Sequence, residues 1–487
     1  MKIISHFLRE QKRYTKNELA SMFEFDEIGV EGFIKTLKAY NILKAVKYSA
    51  EQREMTDLID EDVEVADETA GNDQHYYVFV YVGVITVGRR ILKIYPKYLL
   101  SANEPLTEMK QVLKVLEKYS NSEEQIVNLY NGDGENRSFN LLAVILFLLN
   151  DYYEYGIYNK SEDIVEVNGE GEILWNKTID ENFPIISENR PYYMELYTHK
   201  SVDDETDFFK RLHEAVLTEC SRQLDESQLS ALFEMVTIHL TDEVIDDFGD
   251  RDYILGKILS ELSVQFNTRR QILLKTIYTY ISQDKKMLEE NEGISMYGTT
   301  AFNMVWEKTC AEAFNNRLQS RLKDLSLPKV LDDSFNPKDR LIDIIEKPNW
   351  VGDGYSHKAS DTLIPDLITI IKNEEDYQFI IFDAKYYNLH MEKEKTLRGY
   401  PGIESVTKQY LYQLAYKDFV EKQKIDTIKN CFLLPDEGSE FVNKGHVSME
   451  MLNSLGLEDI QICLLPSNII FSCYINNKKV DIKELGL

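Results

Sequence analysis

Cysteine is scarce and unpaired in this chain. Its five thiols, Cys220, Cys310, Cys431, Cys463 and Cys473, form no CxxC pair. A disulfide scaffold and a structural zinc site are therefore not expected, and the thiols read as buried side chains in a reducing compartment. The eight histidines show no HExxH or similar spacing, which removes the helix-borne zinc hydrolases. Neither GxxxxGK[ST] nor GxGxxG occurs, so no nucleotide-phosphate loop is expected in this chain. No apolar run reaches the ~20 residues of a membrane span. The N-terminus lacks a charged-then-apolar leader, and a cytoplasmic protein without membrane contact is expected. Positive charge is short as well, with 55 Lys and Arg against 83 Asp and Glu, a formal net charge of −28. A polyanion is held by local positive surface. Residues 291–487 carry about −7 of that charge and the preceding part about −21. The excess thus lies away from the C-terminal part, and unaided electrostatic capture of a polyanion is not expected of this chain.

At 487 residues the chain is too long for one core, and two or three domains are expected. Hydrophobic content of 43% with 28% charged residues is the mix of an ordinary globular protein. Residues 1–48 read as short helices in a winged-helix-like module, with Thr15 opening one helix and a second over Val30 to Tyr40. The acidity of the part before residue 291 as a whole favours a protein partner over DNA for this module. Residues 49–75 form an acidic loop. Residues 76–290 read as a β-hairpin followed by a helical coupling region. Tyr76 to Thr86 is a strand, Val87-Gly88 a turn, and Arg90 to Tyr95 the returning strand. Helices are expected over Leu106–Tyr119, Leu141–Tyr155, Asp207–Gln223, Glu226–Leu240 and Asp252–Ser282. His213 inside one of them reads as a packing residue. A polar linker, Lys285 to Glu292, separates this part from a last domain, 291–487, that opens with a helix over Ala301–Leu322.

The chemistry concentrates in that last domain. Phe379-Ile380-Ile381-Phe382-Asp383-Ala384-Lys385 is an unbroken β-branched and aromatic run, a buried strand. Side chains alternate along a strand, so Asp383 and Lys385 emerge on one face. Asp366 follows Pro365 on a second apolar strand, Leu363 to Ile371. Two acids and a lysine converging on strand ends suit a magnesium-dependent phosphodiester cutter, in which carboxylates hold a hard cation and the lysine positions or deprotonates water. An unpaired Asp383 in such apolar surroundings would be costly without a compensating charge. Glu307 stands at the border of the apolar stripe of the Ala301–Leu322 helix, where it can reach a neighbouring site or face water. A helix from about Ile403 to Val420 places Gln409 and Gln413 one turn apart on one side.

Taken in order, several pieces match one pattern: Val82-Gly83-Val84-Ile85, Tyr95-Pro96-Lys97-Tyr98, Gly171-Glu172-Ile173 to Lys177-Thr178, Asn189-Arg190-Pro191-Tyr192-Tyr193, Arg211-Leu212-His213, Trp306-Glu307-Lys308, Pro365-Asp366, Asp383-Ala384-Lys385-Tyr386 and Tyr412-Gln413-Leu414-Ala415-Tyr416. In these the chain resembles the LlaJI-type restriction endonuclease family, relatives of the McrC subunit of McrBC systems. The resemblance implies an α+β and α/β multidomain chain whose C-terminal PD-(D/E)xK nuclease core, a mixed sheet flanked by helices, follows a helix-rich region with a β-sheet element. It implies metal binding by Asp366 and Asp383, Glu307 as the helix acid that joins them, Lys385 as catalytic lysine and Gln413 as auxiliary residue, with Gln409 the weaker candidate. Mg²⁺ is the implied ion, with Mn²⁺ able to substitute. The implied partners are double-stranded DNA, an McrB-like AAA+ GTPase that itself holds the GTP, and a cytosine methyltransferase of the same system. Two other readings remain open at this stage: a non-catalytic scaffold for the GTPase, and a stand-alone site-specific endonuclease.

Overall fold

A computed structural model describes residues 3–47, 75–122, 141–159, 161–203, 206–283, 294–373 and 376–487. The acidic loop and the polar linker expected from the sequence lie almost wholly outside these residues. The chain divides into two compact units, one made of Met1–Ser138 with Met296–Leu487, the other of Phe139–Ser295. Both mix helices with sheets.

Among the described residues the first unit contains four sheets, one of them a two-stranded ribbon of Asn349–Gly352 with Tyr355–Lys358. Ile4–Arg9 runs parallel to Arg90–Tyr95, which pairs in turn with Val82–Val87, and Ile294–Thr299 completes this four-stranded sheet. The last pairing requires glycine on both sides. A Cβ on Gly83, at φ +145°, would stand 2.2 Å from the Tyr297 carbonyl oxygen, and one on Gly298 would stand 2.2 Å from that of Val82. A three-stranded sheet, Arg13–Tyr14, His75–Phe79 and Leu43–Lys47, carries the helices Lys16–Met22 and Glu27–Ala39. Thr15 and Glu18 close a reciprocal capping box on the first helix, and the Asp26 side chain caps the second.

The largest sheet has five strands in the order Leu367–Asn373, Asp376–Ala384, Thr427–Asp436, Ile460–Pro466 and Val442–Val447. Its three middle strands are parallel and both edges are antiparallel. Phe379, Ile380, Ile381 and Phe382 on the second of these, Asp376–Ala384, are inaccessible to water, which stabilises the sheet by roughly 1.5–3 kcal/mol per side chain. The helix Ile403–Gln423 packs Tyr412, Tyr416 and Phe419 against Phe379 and Ile381. Because parallel strands need crossovers, this helix returns the chain to the same end of the sheet.

In the second unit the helix Leu141–Tyr155 is buried almost all round. Beside it, Arg269 makes a double ion pair with Asp151, at 2.9 and 2.7 Å. His213 is buried and its Nδ1 accepts the Tyr158 backbone N–H at 3.0 Å, a packing role. Burial, then the Arg269 charge, holds its pKa down at about 3.

Several expected elements are different in the structure. Residues 4–9 are a strand, because their partner lies some eighty residues on. Tyr76–Thr86 is two strands of different sheets, broken at Val80-Tyr81. No regular helix follows Glu226: Gln228 and Glu234 take left-handed backbone, at φ 56° and 55°, and each stops a turn. The expected Asp252–Ser282 helix is two, Arg251–Val264 and Thr268–Gln283, the second capped by Asn267, whose side chain accepts from Arg270 N at 3.1 Å. The helix expected over Ala301–Leu322 ends at Ala313, since Asn315 is left-handed. The strand expected from Leu363 begins at Leu367, so Asp366 immediately precedes it.

Candidate active site

The helix Phe302–Ala313 buries Phe302, Val305, Trp306, Thr309, Cys310 and Ala313, leaving Glu307 at the edge of that face, half-buried. The Trp306 indole donates to the Leu433 carbonyl at 3.2 Å and so fixes the helix on the central sheet. Just past the helix end, Asn316 clamps the start of the edge strand. Its Nδ2 donates to the Asp366 carbonyl at 3.1 Å, while its Oδ1 accepts from Ile368 N at 3.1 Å. The acid-bearing helix and Asp366 are thereby joined by one side chain.

The antiparallel ladder between the two acid-bearing strands ends at Leu367 and Phe382. Beyond it the Ala384 N–H has no strand carbonyl on that side, and Asp366 Oδ2 accepts it at 2.8 Å. On the other side the Lys385 N–H donates to the Leu433 carbonyl at 3.0 Å. Lys385 is therefore held extended, one residue past the strand. The pleat places its Nζ 3.1 Å from Asp383 Oδ2, with Asp383 only 4% exposed. These groups stand at the carboxyl end of the Asp376–Ala384 strand, the end at which α/β sheets hold ligands.

The electrostatics show how closely the four groups are gathered. Burial first, then the Asp383 charge and a hydrogen bond between the two carboxyl groups, lifts the Asp366 pKa to about 8 against the relief given by Lys385. Glu307 is raised by burial and by Asp383, with Lys385 opposing. Burial would lower Lys385, but Asp383, Asp366 and Glu307 together carry it above its ordinary value. The lysine is a permanent cation among three acids.

Of the five residues expected here, the structure thus brings together Glu307, Asp366, Asp383 and Lys385. Gln413 is engaged elsewhere. Its Oε1 accepts from Asn430 Nδ2 at 2.9 Å and from Glu458 N at 3.1 Å, opposite the middle of the Asp376–Ala384 strand. Gln409, one turn nearer the carboxylates, donates to the Cys431 carbonyl at 3.3 Å, and its buried Oε1 has no partner.

Three further groups escaped the sequence reading. The Tyr412 hydroxyl donates to the Ile364 carbonyl at 2.9 Å, and burial with the charges of Asp383 and Asp366 pushes its pKa up. Tyr386, next to Lys385, donates to the buried Glu10 carboxylate at 2.6 Å. Glu10 Oε2 also accepts from Lys97 N at 3.2 Å, and the Lys97 ammonium lies 4.4 Å from the Tyr386 ring centroid. No spacing pattern could have linked residues so far apart in the chain.

A family model described as the LlaJI restriction endonuclease matches residues 81–465, a stretch that contains every candidate from Glu307 to Gln413. The chain belongs to the LlaJI restriction endonuclease family. Restriction endonucleases are DNA nucleases and in general use divalent metal ions. Among curated proteins, the LlaJI-family chain is 28% identical over 419 residues to the component YdjA of the type II restriction enzyme BsuMI from Bacillus subtilis (strain 168), covering 84% of this chain and 83% of that one. Among solved structures it is similar to a chain of a half-complex of Thermococcus gammatolerans McrB AAA+ hexamers with bound McrC, at 13% identity and a TM-score of 0.35, covering 97% and 99% of the two chains. A second similarity, to a chain of the McrBC complex of the same organism, has 13% identity and a TM-score of 0.25, covering 62% and 85%. Both structural similarities are low.

Proposed function

We propose that this chain is the DNA-cutting subunit of a restriction system directed against phage DNA, with a PD-(D/E)xK nuclease core in residues 291–487. The observation that carries this reading is the Asp366–Asp383–Lys385 cluster at the carboxyl end of the Asp376–Ala384 strand, with Glu307 beside it. Asp366 and Asp383 would hold Mg²⁺, for which Mn²⁺ substitutes, and Glu307 would join through water or directly. Among the described residues no three His, Cys, Asp or Glu side chains stand as a ready ligand cage. The residues nevertheless fit this ion, because Mg²⁺ is commonly held by one or two carboxylates together with water and substrate phosphate. The fit also follows from the crowding that makes Asp366 retain a proton up to about 8, since a cation in that place removes the repulsion. When bound, the ion neutralises charge on the scissile phosphate and acidifies a water ligand.

Lys385 stays protonated, so it orients the attacking water and stabilises charge on the phosphoryl oxygens, and it is not the base. Asp383 holds the ammonium in place through their ion pair. The Ala384 N–H fixes the rotamer of Asp366. Hydrolysis leaves a 5′-phosphate and a 3′-hydroxyl.

The partner in this reading is an McrB-like AAA+ GTPase that carries the GTP, with a cytosine methyltransferase as a further member of the system. Residues 76–290 form the coupling region that docks on it. A partner surface is supported by the hairpin of Ile185–Ser187 and Arg190–Tyr192, where Phe183, Ile185, Ile186, Tyr192 and Met194 are all exposed.

Asp383→Ala and Lys385→Ala are expected to abolish cleavage of duplex DNA in Mg²⁺ while leaving stimulation of the partner's GTPase unchanged. Calorimetric titration with Mn²⁺ separates this reading from a scaffold without catalysis, for which no uptake dependent on Asp366 and Asp383 is expected. Full cleavage by either variant refutes the site.

A further inference from the structure

Past the acid-bearing helix, the chain from Asn315 to Lys323 passes the outer edge of the Leu367–Asn373 strand. Asn316 clamps Asp366 and Ile368 there, and Arg317 N donates to the Ile368 carbonyl at 2.7 Å. Leu318 and Leu322 are buried in one cluster with Ile368 and Ile381. Ile381 and Asp383 share a face of the sheet, so this segment packs on the face from which Asp383 projects. Its other side is open, with Arg317, Gln319, Arg321 and Lys323 exposed. A facing segment is tied to it by Leu322 N, which donates to the Asp339 carbonyl at 2.8 Å, and by Leu341 N, which donates to that of Ser320 at 3.0 Å.

From Asn315 to Lys323 there are three cations and no acid, in a chain of net charge −28. With Asp324 and the facing segment 336–343 included, five cations stand against three acids. Of those acids Asp343 is taken by Arg340 at 2.9 Å, and Asp339 accepts from the Asn336 side chain at 2.7 Å. Among the described residues the side chains of Arg317, Arg321 and Lys323 have no hydrogen bond, ion pair or ring contact. The placement of Arg321 is itself unfavourable. It lies directly opposite Arg340 across an antiparallel bridge, where like charges repel. An anion laid across the two removes that repulsion.

We propose that this strip holds the phosphate backbone of the duplex strand being cut, through Arg317, Arg321 and Lys323; the proposal rests on the nuclease reading above. Charge and place together select that occupant. Unpaired cations in a row complement a row of phosphates. Ile368, to which Arg317 is hydrogen-bonded, is two residues from Asp366, at most ~7 Å of chain. A phosphodiester held at the two acids therefore has its neighbouring phosphates within reach of Arg317. From Arg317 to Lys323 is at most ~20 Å, the length of about six phosphates along one strand. Contacts of this kind fix position and carry no base sequence, so the strip serves any duplex presented to the acids.

The test measures binding separately from cutting. The full chain, with its GTPase partner where cleavage requires one, is studied as the Asp383→Ala variant in Ca²⁺. Two fluorescent duplexes are used, one carrying the system's cleavage site and one unrelated to it. Arg317→Ala, Arg321→Ala and Lys323→Ala are introduced together, and Arg317→Lys with Arg321→Lys controls for charge. The triple variant is expected to bind both duplexes about tenfold or more weakly. It should also lower the slope of log affinity against log salt by about 0.9 for each phosphate contact removed, while the lysine pair keeps the slope. Because the three side chains have no partner among the described residues, melting temperatures should be unchanged. Affinity within twofold at an unchanged slope, a loss confined to the cleavage-site duplex, no DNA binding by the parent protein, or loss of partner association with DNA affinity intact each overturns the proposal. Cleavage persisting in Asp383→Ala strikes the nuclease reading instead, and the salt slopes then decide for or against the strip by themselves.

Discussion

Asp366→Asn should make the metal-free protein more stable above neutral pH, and the size of the effect follows from the site. Asp366 holds its proton up to about 8, against an ordinary value of 3.8. At ~1.36 kcal/mol per pH unit this corresponds to about 6 kcal/mol of charge burial and repulsion. The sign is that of an acid whose pKa is raised by folding. Below the unfolded value both states carry the proton and nothing is lost. Between about 4 and 8 the folded state alone carries it, so stability falls as pH rises. Above about 8 the full cost is present. Glu307 is shifted in the same direction, with burial as its main cause. Asparagine cannot ionise and still offers an oxygen to the Ala384 N–H.

Urea unfolding of wild type and Asp366→Asn, in EDTA from pH 4 to pH 9 and again in Mg²⁺, provides the measurement. Fluorescence of Trp306, buried on the acid-bearing helix, reports the first unit. Without metal the two curves should coincide near pH 4 and separate by several kcal/mol at pH 8, the variant being the more stable. Mg²⁺ at a hundred times its dissociation constant should return about 2.7 kcal/mol to wild type and nothing to the variant. Its affinity should rise with pH until the shared proton has gone. Parallel stability curves across the whole range in EDTA would refute the crowded-carboxylate argument, whatever the cleavage activity.

Three other perturbations follow from single contacts. Tyr386→Phe removes the donor to buried Glu10 and should cost about 1–3 kcal/mol; cleavage should fall with it because Lys385 is the neighbouring residue, and unchanged single-turnover rates would show that the two are uncoupled. Gly83→Ala puts a methyl group 2.2 Å from the Tyr297 carbonyl in a backbone region unsuited to alanine, so that insoluble or protease-sensitive protein is expected, and a melting temperature unchanged by differential scanning fluorimetry contradicts the close approach. Gln413→Ala leaves Asn430 and the Glu458 N–H without their acceptor and should cost about 1–3 kcal/mol, while cleavage per folded molecule, read in single turnover with excess enzyme, stays within a few-fold; a large loss in folded protein would restore Gln413 to the chemistry.

The chemistry was legible where short-range rules suffice. Phe379–Phe382 has no breaker, so that strand could be read directly, and the two-residue period then put Asp383 and Lys385 on one side. Glu307 was placeable because Trp306, Cys310 and Ala313 define a helical stripe. What could not be read depends on distance or on backbone choice. Helical spacing puts Gln409 and Gln413 on one face but does not say which turn lies against which part of the strand. Asn315, Gln228 and Glu234 enter the left-handed region without being glycine, and the helices expected to run through those positions stop or never form. The parallel pairing of Ile4–Arg9 with Arg90–Tyr95, and the bond from Tyr386 to Glu10, join residues that share no local pattern. The ribbon after Pro348 did carry a turn signal, Asp353-Gly354, but its strands are four residues each and lack apolar alternation.

On the proposed reading, the metal-free arrangement is itself an idle state. Asp383 is occupied by Lys385, Asp366 by the Ala384 N–H and a shared proton, and Asp383 is almost closed to water while Asp366 is half-buried. A divalent ion must displace that proton and compete with the ammonium, and phosphate oxygens complete the coordination that two crowded carboxylates and one half-buried glutamate leave open. An acidic chain gains from this. Its net charge opposes casual binding of nucleic acid, and its nuclease groups become competent only when duplex has already been brought to the carboxyl end of the Asp376–Ala384 strand. Restriction by such a subunit is then governed by whatever delivers the DNA, and the Glu10–Tyr386 contact gives the N-terminal sheet a direct hold on the residue beside Lys385.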